Sequence, residues 1–352
     1  MIASASQLDE LLLQLKASDR VAVDTEADSL HCYREKLCLI QIGLSGQDYV
    51  VDPLADVDLS PLSRVLEEKE IVLHGADYDL RLLRRGLDFG ARRIFDTVIA
   101  ARLLGIREFS LAALVKRYFD VGLGKGSQKA NWAQRPLSAR MLAYAVNDTH
   151  YLLPLADCLE SQLREHDRLE WMRQSCLRAI EQAASERVRD EAELWRIRGA
   201  GSLDGRQAAV LRALWIWREK EAEAADRPPF HILQNHQLLN AAVNFAFGSV
   251  PDYHHFSSRR RQGFREAAQS ALRLSEADWP VPRRRHFGTR PSVHTVRRAE
   301  TLRQRRDKSA KELGLEPSFV APRSAIEAIA ADQTRTMTLL APWQRELIGI
   351  EI

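Results

Sequence analysis

The chain has 352 residues, of which 45% are hydrophobic and 28% charged, and this balance excludes an intrinsically disordered protein. A chain of this length is expected to form two or three domains. The net charge of +3 is unevenly distributed, because residues 1–190 carry −4 and residues 191–352 carry +7. The acidic half is suited to binding cations, as in an enzyme with a metal site, and the basic half is suited to binding polyanions.

The cysteines and the first residues bear on the compartment. The four cysteines are Cys32, Cys38, Cys158 and Cys176. They form no CxxC pair, so a disulfide framework is poorly supported and a reducing compartment is expected. Residues 1–15 lack the basic start of a signal peptide, and no apolar run reaches the roughly 20 residues needed to span a bilayer. We therefore expect a cytoplasmic protein that does not associate with membranes.

The first 155 residues alternate between strand and helix patterns. Strands are predicted at 21–26, 37–44, 48–52 and 71–74, and a short one opens the stretch 93–105, which continues as a helix. The first three strands have short connections, which predict antiparallel neighbours. Further helices are predicted at 61–68, 77–85 and 137–165, the last bent near Pro154.

Beyond residue 159 the sequence has only helical patterns, and a Gly-rich stretch at 199–202 interrupts them. We place a boundary at 191–201. The expected domains are residues 1–192, a compact helical domain over 203–282, and a basic linker with a second helical region over 283–352.

Acidic residues occur in three segments of the first domain. Asp24 and Glu26 are two apart on a predicted strand and so share one face. Asp77 and Asp79 lie in the first turn of a predicted helix, where the helix dipole favours acids. For Asp77 we prefer this interpretation, a helix-start acid without a catalytic role. Taken one at a time, these acids also fit solvated or capping positions.

The third segment is YAVNDTHYLLPL. Tyr144 and Asp148 are four residues apart, so they share one helix face. Such a pair often does no more than form a hydrogen bond.

Together, DTE (24–26), HGADYDL (74–80) and YxxxD (144–148) resemble the three exonuclease motifs of the DEDD superfamily, and the tyrosine marks its DEDDy subgroup. The phrases FDTVIAARLL (95–104), SLAALVKRYF (110–119) and NWAQRPLSARMLAYAVNDTHYLLPL (131–155) are similar to ribonuclease D and its exosome-associated relatives. The resemblance covers about residues 5–170.

This resemblance implies an α/β ribonuclease H-like fold, a mixed sheet flanked by helices. It also implies that Asp24, Glu26, Asp79 and Asp148 bind metal and that Tyr144 is the partner of the attacking water. The family often has Ser-Asp-Trp where this chain has Ala130-Asn131-Trp132, so local loop or substrate contacts could differ.

The residue types suit a two-metal reaction. Two Mg²⁺ or Mn²⁺ ions roughly 3.5–4 Å apart can serve both ends of an in-line phosphodiester displacement. Four acids without a His or Cys cluster suit such hard cations and argue against zinc. The expected products are 5′-mononucleotides and an RNA with a free 3′-OH.

Substrate contacts are less clearly marked. His74 ends a strand before Gly75, where it either caps the turn or contacts substrate. Lys125, Gln128 and Lys129 lie in a Gly- and Lys-rich loop that either contacts RNA phosphates or is simply solvated.

The second half is expected to be all-α. WREKEAEAADRPPFHIL (217–233) is similar to the HRDC domain, a nucleic-acid-binding accessory in its families, and 310–330 with 339–349 resemble, more loosely, a second, diverged HRDC-like region. Trp215 and Trp217 are expected in a core. Residues 257–311 carry a net charge of +11, which favours an RNA phosphate-binding surface over a solvated face.

These features favour a 3′-5′ exoribonuclease that acts on RNA with a free 3′ end, with tRNA precursors as the family expectation and no obligatory protein partner evident. Two alternatives stay open, a 3′-5′ DNA exonuclease and a non-catalytic RNA-binding scaffold. The absence of a polymerase segment or phosphate loop speaks against the first, and the complete set of acids against the second.

Overall fold

A computed structural model describes residues 1–124, 126–185, 190–281 and 291–350. The strands are β1 (Arg20–Ala27), β2 (Leu37–Leu44), β3 (Gln47–Val51), β4 (Glu70–Leu73) and β5 (Arg93–Asp96). They form one mixed sheet in the order β3-β2-β1-β4-β5. β1, β2 and β3 are antiparallel neighbours, as their short connections predict, whereas β4 lies between β1 and β5 and is parallel to both.

Thirteen described helices belong to the same compact unit as the sheet, which comprises the described residues of 1–28, 36–186 and 291–352. The helices before residue 186 are α1 (Ala5–Lys16), α2 (Ser60–Glu67), α3 (Asp77–Leu87), α4 (Thr97–Leu103), α5 (Leu111–Phe119), α6 (Ala139–His150), α7 (Leu152–Glu165) and α8 (Leu169–Ala184). The mixed sheet flanked by helices is thereby confirmed.

The long helical stretch 137–165 is broken at Tyr151, between α6 and α7, close to the bend predicted near Pro154. Proline has no N–H and its ring clashes with the carbonyl group four residues earlier, which here belongs to His150. The helix therefore breaks one turn before the proline, and Pro154 lies in the first turn of α7, where a missing N–H costs little.

Both faces of β2 are covered, and all eight of its residues are buried. One face packs into the large core that includes Val21 and Val23 of β1. On the other face α6 lies across β1, β2 and β3. A smaller apolar cluster there contains Leu39, Val50 and Trp132. This arrangement holds α6 over the face of β1 that carries the sequence-predicted acids.

The C-terminal helices pack on the sheet-containing unit and do not form a unit of their own. They are α13 (Val293–Leu313), α14 (Pro317–Val320), α15 (Arg323–Ala331), α16 (Thr336–Leu339) and α17 (Pro342–Leu347). The indole ring of Trp343 stacks on Trp171 of α8, with ring centroids 5.1 Å apart, and its Nε1 atom donates to Ser175 Oγ at 3.0 Å. The sequence did not anticipate this position of residues 291–350, and the domain limits at 192, 203 and 283 stay predictions.

The second compact unit comprises the described residues of 29–35 and 187–290 and is all-α, as expected. Its helices are α9 (Gly205–Ala224), α10 (Pro229–Ile232), α11 (Asn235–Ala246) and α12 (Ser258–Leu272). Trp217 is buried against Phe256 and Phe264, and Trp215 packs against the same core, so both tryptophans are core residues.

No helix among the described residues is both long and apolar enough to span a membrane.

Candidate active site

Three carboxylates meet where α6 crosses the end of β1. Asp24 and Glu26 project from one face of β1, and Asp148 reaches them from α6. One oxygen of each carboxylate lies within 4.8 Å of the others. Three oxygen ligands at this spacing can hold one divalent cation, and this is the type of ligand that Mg²⁺ and Mn²⁺ prefer.

Asp79, the fourth predicted acid, is buried in the first turn of α3. Its Oδ1 atom accepts a 2.5 Å hydrogen bond from Thr25 Oγ1, which lies between Asp24 and Glu26 in β1. This bond fixes the Asp79 carboxylate beside the other three acids. Asp77, by contrast, is exposed and pairs with Arg81 at 2.9 Å, which agrees with its preferred reading as a helix-start acid.

The buried carboxylate of Asp96 at the end of β5 positions the start of α3. Its Oδ1 atom accepts from the backbone N–H groups of Gly75 and Val98 at 2.9 and 2.8 Å, and its Oδ2 atom accepts from Ala76 N at 2.8 Å. Gly75 has a φ of +84°, a conformation that glycine adopts without strain. Asp96 thus ties the loop before Asp79 to the sheet, a role that sequence reasoning missed.

Burial raises the pKa values of all four acids, and neighbouring carboxylates of the cluster add to this at Asp24, Glu26 and Asp148. Burial, followed by the charges of Asp79, Asp148 and Glu26, raises the pKa of Asp24 well above its usual range. Burial and the neighbouring carboxylates raise the pKa of Glu26 to about 9, and burial and the charge of Asp79 raise that of Asp148 to about 7. Burial raises the pKa of Asp79 to about 6, although the Thr25 hydrogen bond opposes this. Such crowding of negative charge is favourable only with a cation between the acids.

Tyr144 lies one helical turn before Asp148 and donates its hydroxyl hydrogen to that carboxylate. Burial, followed by the charges of Asp148, Glu26 and Asp24, raises the pKa of the Tyr144 phenol above its ordinary value. Its ring packs against Trp132, with centroids 6.1 Å apart. The phenol therefore stays protonated at neutral pH and acts as a hydrogen-bond donor.

These groups line a cleft of about 520 Å³. Its other described lining residues are Thr25, His74, Gly75, Tyr78, Ser110, Leu111, Ala112, Leu123, Gly124 and Gln128. Two of the predicted substrate residues, His74 and Gln128, are thus in the cleft. Lys129 is not among its described lining residues, and Lys125 lies outside the described residues.

The imidazole of His74 has a defined hydrogen-bonding pattern. Thr97 Oγ1 uses its own hydrogen to donate to Leu73 O at 3.0 Å, so it accepts from His74 Nδ1 at 2.8 Å. Burial lowers the pKa of His74, although the charge of Asp96 opposes the shift. A neutral ring with its hydrogen on Nδ1 leaves Nε2 as an acceptor. The two roles predicted for His74, a structural one at the turn and a contact with substrate, are therefore compatible.

Comparisons with known proteins identify the domains of this chain. A family model described as a 3′-5′ exonuclease matches residues 1–164, and an HRDC domain model matches residues 207–245. Ribonuclease D of Desulfotalea psychrophila is 30% identical over 69% of this chain and 66% of its own length, just under two thirds. Ribonuclease D of Gluconacetobacter diazotrophicus is 28% identical over 100% of this chain and 91% of its own length.

The fold is shared along nearly the whole chain. The crystal structure of Escherichia coli RNase D superimposes with a TM-score of 0.73 over 99% of this chain and 96% of that one, at 22% identity. The sheet, the cleft and the matched domains define a 3′-5′ exonuclease domain combined with an HRDC domain. Along nearly its whole length the chain is similar to relatives described as ribonuclease D.

Proposed function

We propose that this protein is a divalent-metal-dependent 3′-5′ exoribonuclease that removes 5′-mononucleotides from RNA with a free 3′ end. One observation carries the proposal: four acids from three separate segments converge in one cleft, and their raised pKa values indicate a need for cations. A scaffold that only binds RNA would gain nothing from this charge, since it repels phosphate.

Asp24, Glu26, Asp79 and Asp148 would hold two Mg²⁺ or Mn²⁺ ions. When bound, such ions polarise the phosphate, activate water and stabilise the departing 3′-oxyanion. The residues fit such ions, because Asp24, Glu26 and Asp148 each place one oxygen within 4.8 Å of the others. Thr25 fixes the fourth carboxylate, that of Asp79. The chain thus contributes fixed carboxylates on a strand and two helices, rigid elements that limit their movement.

Tyr144 would orient the attacking water. With its pKa raised, the phenol cannot act as a simple base at neutral pH, but its oxygen can accept a hydrogen bond while its hydrogen goes to Asp148. His74 Nε2 is a further acceptor in the cleft, suited to a ribose hydroxyl group, and Gln128 offers an amide.

RNA is the favoured substrate because of the family and the HRDC domain. The E. coli relative is described as an exoribonuclease involved in structured RNA processing. We infer a similar class of substrate here, with tRNA precursors as the first to examine. The cytoplasm is the expected compartment, and no protein partner is required by the proposal.

The basic run 257–311 supports RNA capture only in part. Arg283–Arg285 and Arg290 lie outside the described residues. Arg259 and Arg260 bond to Glu221, and Arg305 donates to the carbonyl oxygen of Gly349. The exposed cations Arg265, Arg273, Arg297 and Lys311 are better placed to meet phosphates. Because the run is divided between the two compact units, we propose separate phosphate contacts on each.

The test is hydrolysis of a 3′-labelled tRNA precursor and of a single-stranded DNA of matched sequence, with Mg²⁺ or with EDTA. We expect Mg²⁺-dependent release of labelled 5′-mononucleotide from RNA, and none from the Asp24→Asn variant. Equal rates on DNA would favour the DNA exonuclease alternative. RNA binding without hydrolysis in any divalent metal would favour the scaffold.

A further inference from the structure

Gln41 is a polar residue in the middle of the otherwise apolar strand β2, LCLIQIGL. Its side chain is fully buried, with 0% exposure. Neither Nε2 nor Oε1 has a hydrogen-bond partner among the described residues. An amide in this condition is costly to bury, so its presence calls for a partner or a function.

The strand register shows where this amide lies. Gln41 is directly opposite Asp24 of β1 and, on its other side, Val50 of β3. Opposed residues of antiparallel strands point to the same face of the sheet, so Gln41 shares the face of the acids. Two residues further along β2, Gly43 meets Thr149 of α6, where an added Cβ would come within 3.1 Å of the Thr149 carbonyl oxygen. Gln41 thus lies beneath α6, beside Asp24.

Its neighbours leave few possible partners. Val50 is apolar, and it belongs to a cluster with Cys38, Leu39, Trp132, Leu137 and Ala145, against which Tyr144 packs. The indole Nε1 of Trp132 is a donor, so it offers no acceptor to the amide N–H of Gln41. The Tyr144 hydroxyl hydrogen is already given to Asp148. The carboxylate of Asp24 is the acceptor that the register brings to the side of Gln41.

We propose that Gln41 is a positioning residue for the cation site: its amide N–H, which has no partner among the residues that this structure describes, donates to the carboxylate of Asp24 when a divalent ion binds there, and so fixes the orientation of Asp24 on the ion. The inference rests on the proposed function, because it assumes that Asp24 is a metal ligand. A hydrogen bond from an outer partner orients a carboxylate ligand on its ion, which increases metal affinity. A Gln41 that is only structural would affect folding and leave metal affinity unchanged.

The test replaces the amide with an apolar group of similar length, Gln41→Met. Mn²⁺ binding is measured by calorimetry without RNA, together with the Mn²⁺ concentration that gives the half-maximal rate of RNA hydrolysis. Loss of an outer-shell partner typically weakens metal affinity or activity about 10–100-fold. We expect a weakening in this range, with the metal-free melting temperature unchanged or higher because an unpaired amide has been removed.

Leu39→Met is the matched control, since Leu39 lies on the same face of β2 and opposite Glu26 in register. It should bind Mn²⁺ as the wild type does. If Gln41→Met does not fold, Gln41→Leu is measured instead. Wild-type Mn²⁺ affinity in a folded Gln41 variant would overturn this inference alone, whereas a wild-type protein that binds no Mn²⁺ and hydrolyses no RNA would overturn the proposed function itself.

Discussion

The hydroxyl group of Thr25 donates a 2.5 Å hydrogen bond to Asp79, and this bond ties β1 to the first turn of α3. It lowers the pKa of Asp79 against the effect of burial, and so favours the charged form that binds a cation. Replacement by valine keeps the shape of the side chain and removes the donor. We expect Thr25→Val to lose roughly 10–100-fold in activity or metal affinity, measured as rate against Mg²⁺ concentration.

Thr25→Ser is the control for this bond, because serine retains the hydroxyl group. Its activity should stay within a few fold of the wild type. Equal losses in both variants would assign the defect to packing at this buried position and not to the hydrogen bond.

Removal of an acid should separate catalysis from stability. Asp148→Asn removes a proposed ligand, so RNA hydrolysis should fall by more than the roughly 10–100-fold typical of an outer-shell partner. The metal-free protein should melt at the same temperature or higher, because the repulsion that raises the pKa values of Asp24 and Glu26 is reduced. Asp120→Asn, an exposed acid on the same unit, is the control for both measurements. Near-normal turnover of Asp148→Asn with Mg²⁺ would contradict the ligand assignment.

Tyr144→Phe keeps the ring that packs against Trp132 and removes the hydroxyl group. Groups that position or transfer a proton typically contribute roughly 10²–10⁴-fold to the rate. We expect kcat to fall within this range and KM to change little, as measured on a short single-stranded RNA. Tyr118→Phe is the matched control, since the Tyr118 hydroxyl donates to Gln162 at 3.1 Å and does not line the cleft. An unchanged kcat would show that the Tyr144 hydroxyl is structural.

The acids also predict how stability depends on pH. The folded, metal-free protein holds a proton on Glu26 up to a pKa of about 9, whereas Glu26 in the unfolded chain ionises near 4.5. The folded state therefore binds more protons between these values, and stability decreases as pH rises through this window. In EDTA, the melting temperature of the wild type should fall relative to Glu26→Gln as pH rises from 5 to 8.5. Added Mg²⁺ should stabilise the wild type more at pH 8.5 than at pH 5. A pH-independent difference in EDTA would show that Glu26 is ionised in the folded protein.

Much of the sheet and the site could be predicted from the sequence, because period-2 apolar patterns and short connections specify antiparallel strands locally. The bend predicted near Pro154 is found at Tyr151, because the sequence marks the proline but not the carbonyl group with which its ring would clash. Thr25 gave no signal, since a threonine in a strand is ordinary. Gln41 is visible in the sequence as a lone amide in an apolar strand, but its neighbours become known only from the strand register.

The packing of the C-terminal helices could not be predicted for a different reason. Ile326, Ile329 and Trp343 are apolar residues of helical segments, but the sequence does not show which core they join. In the structure they belong to the large core that also contains the sheet. Arg168 adds polar links, donating to Leu103 O at 2.5 Å and to Leu313 O at 2.9 Å. The exonuclease unit is therefore complete only with residues from the C-terminal end.

This packing predicts that Trp343→Ala destabilises the exonuclease unit, although Trp343 is far from the acids in sequence. The side chain is 1% exposed, stacks on Trp171 and donates to Ser175 Oγ, so its removal leaves a large cavity and takes away the donor to that oxygen. Such substitutions typically cost about 3–5 kcal/mol of unfolding free energy. Val293→Ala is the control: this side chain in α13 is 66% exposed, so its loss should change the free energy of unfolding by less than about 0.5 kcal/mol. The measurement is the loss of Mg²⁺-dependent RNA hydrolysis with rising urea concentration, which reports on the catalytic unit whatever the second unit does. Coincident urea midpoints for Trp343→Ala and the wild type would show that the exonuclease unit folds without support from its C-terminal helices.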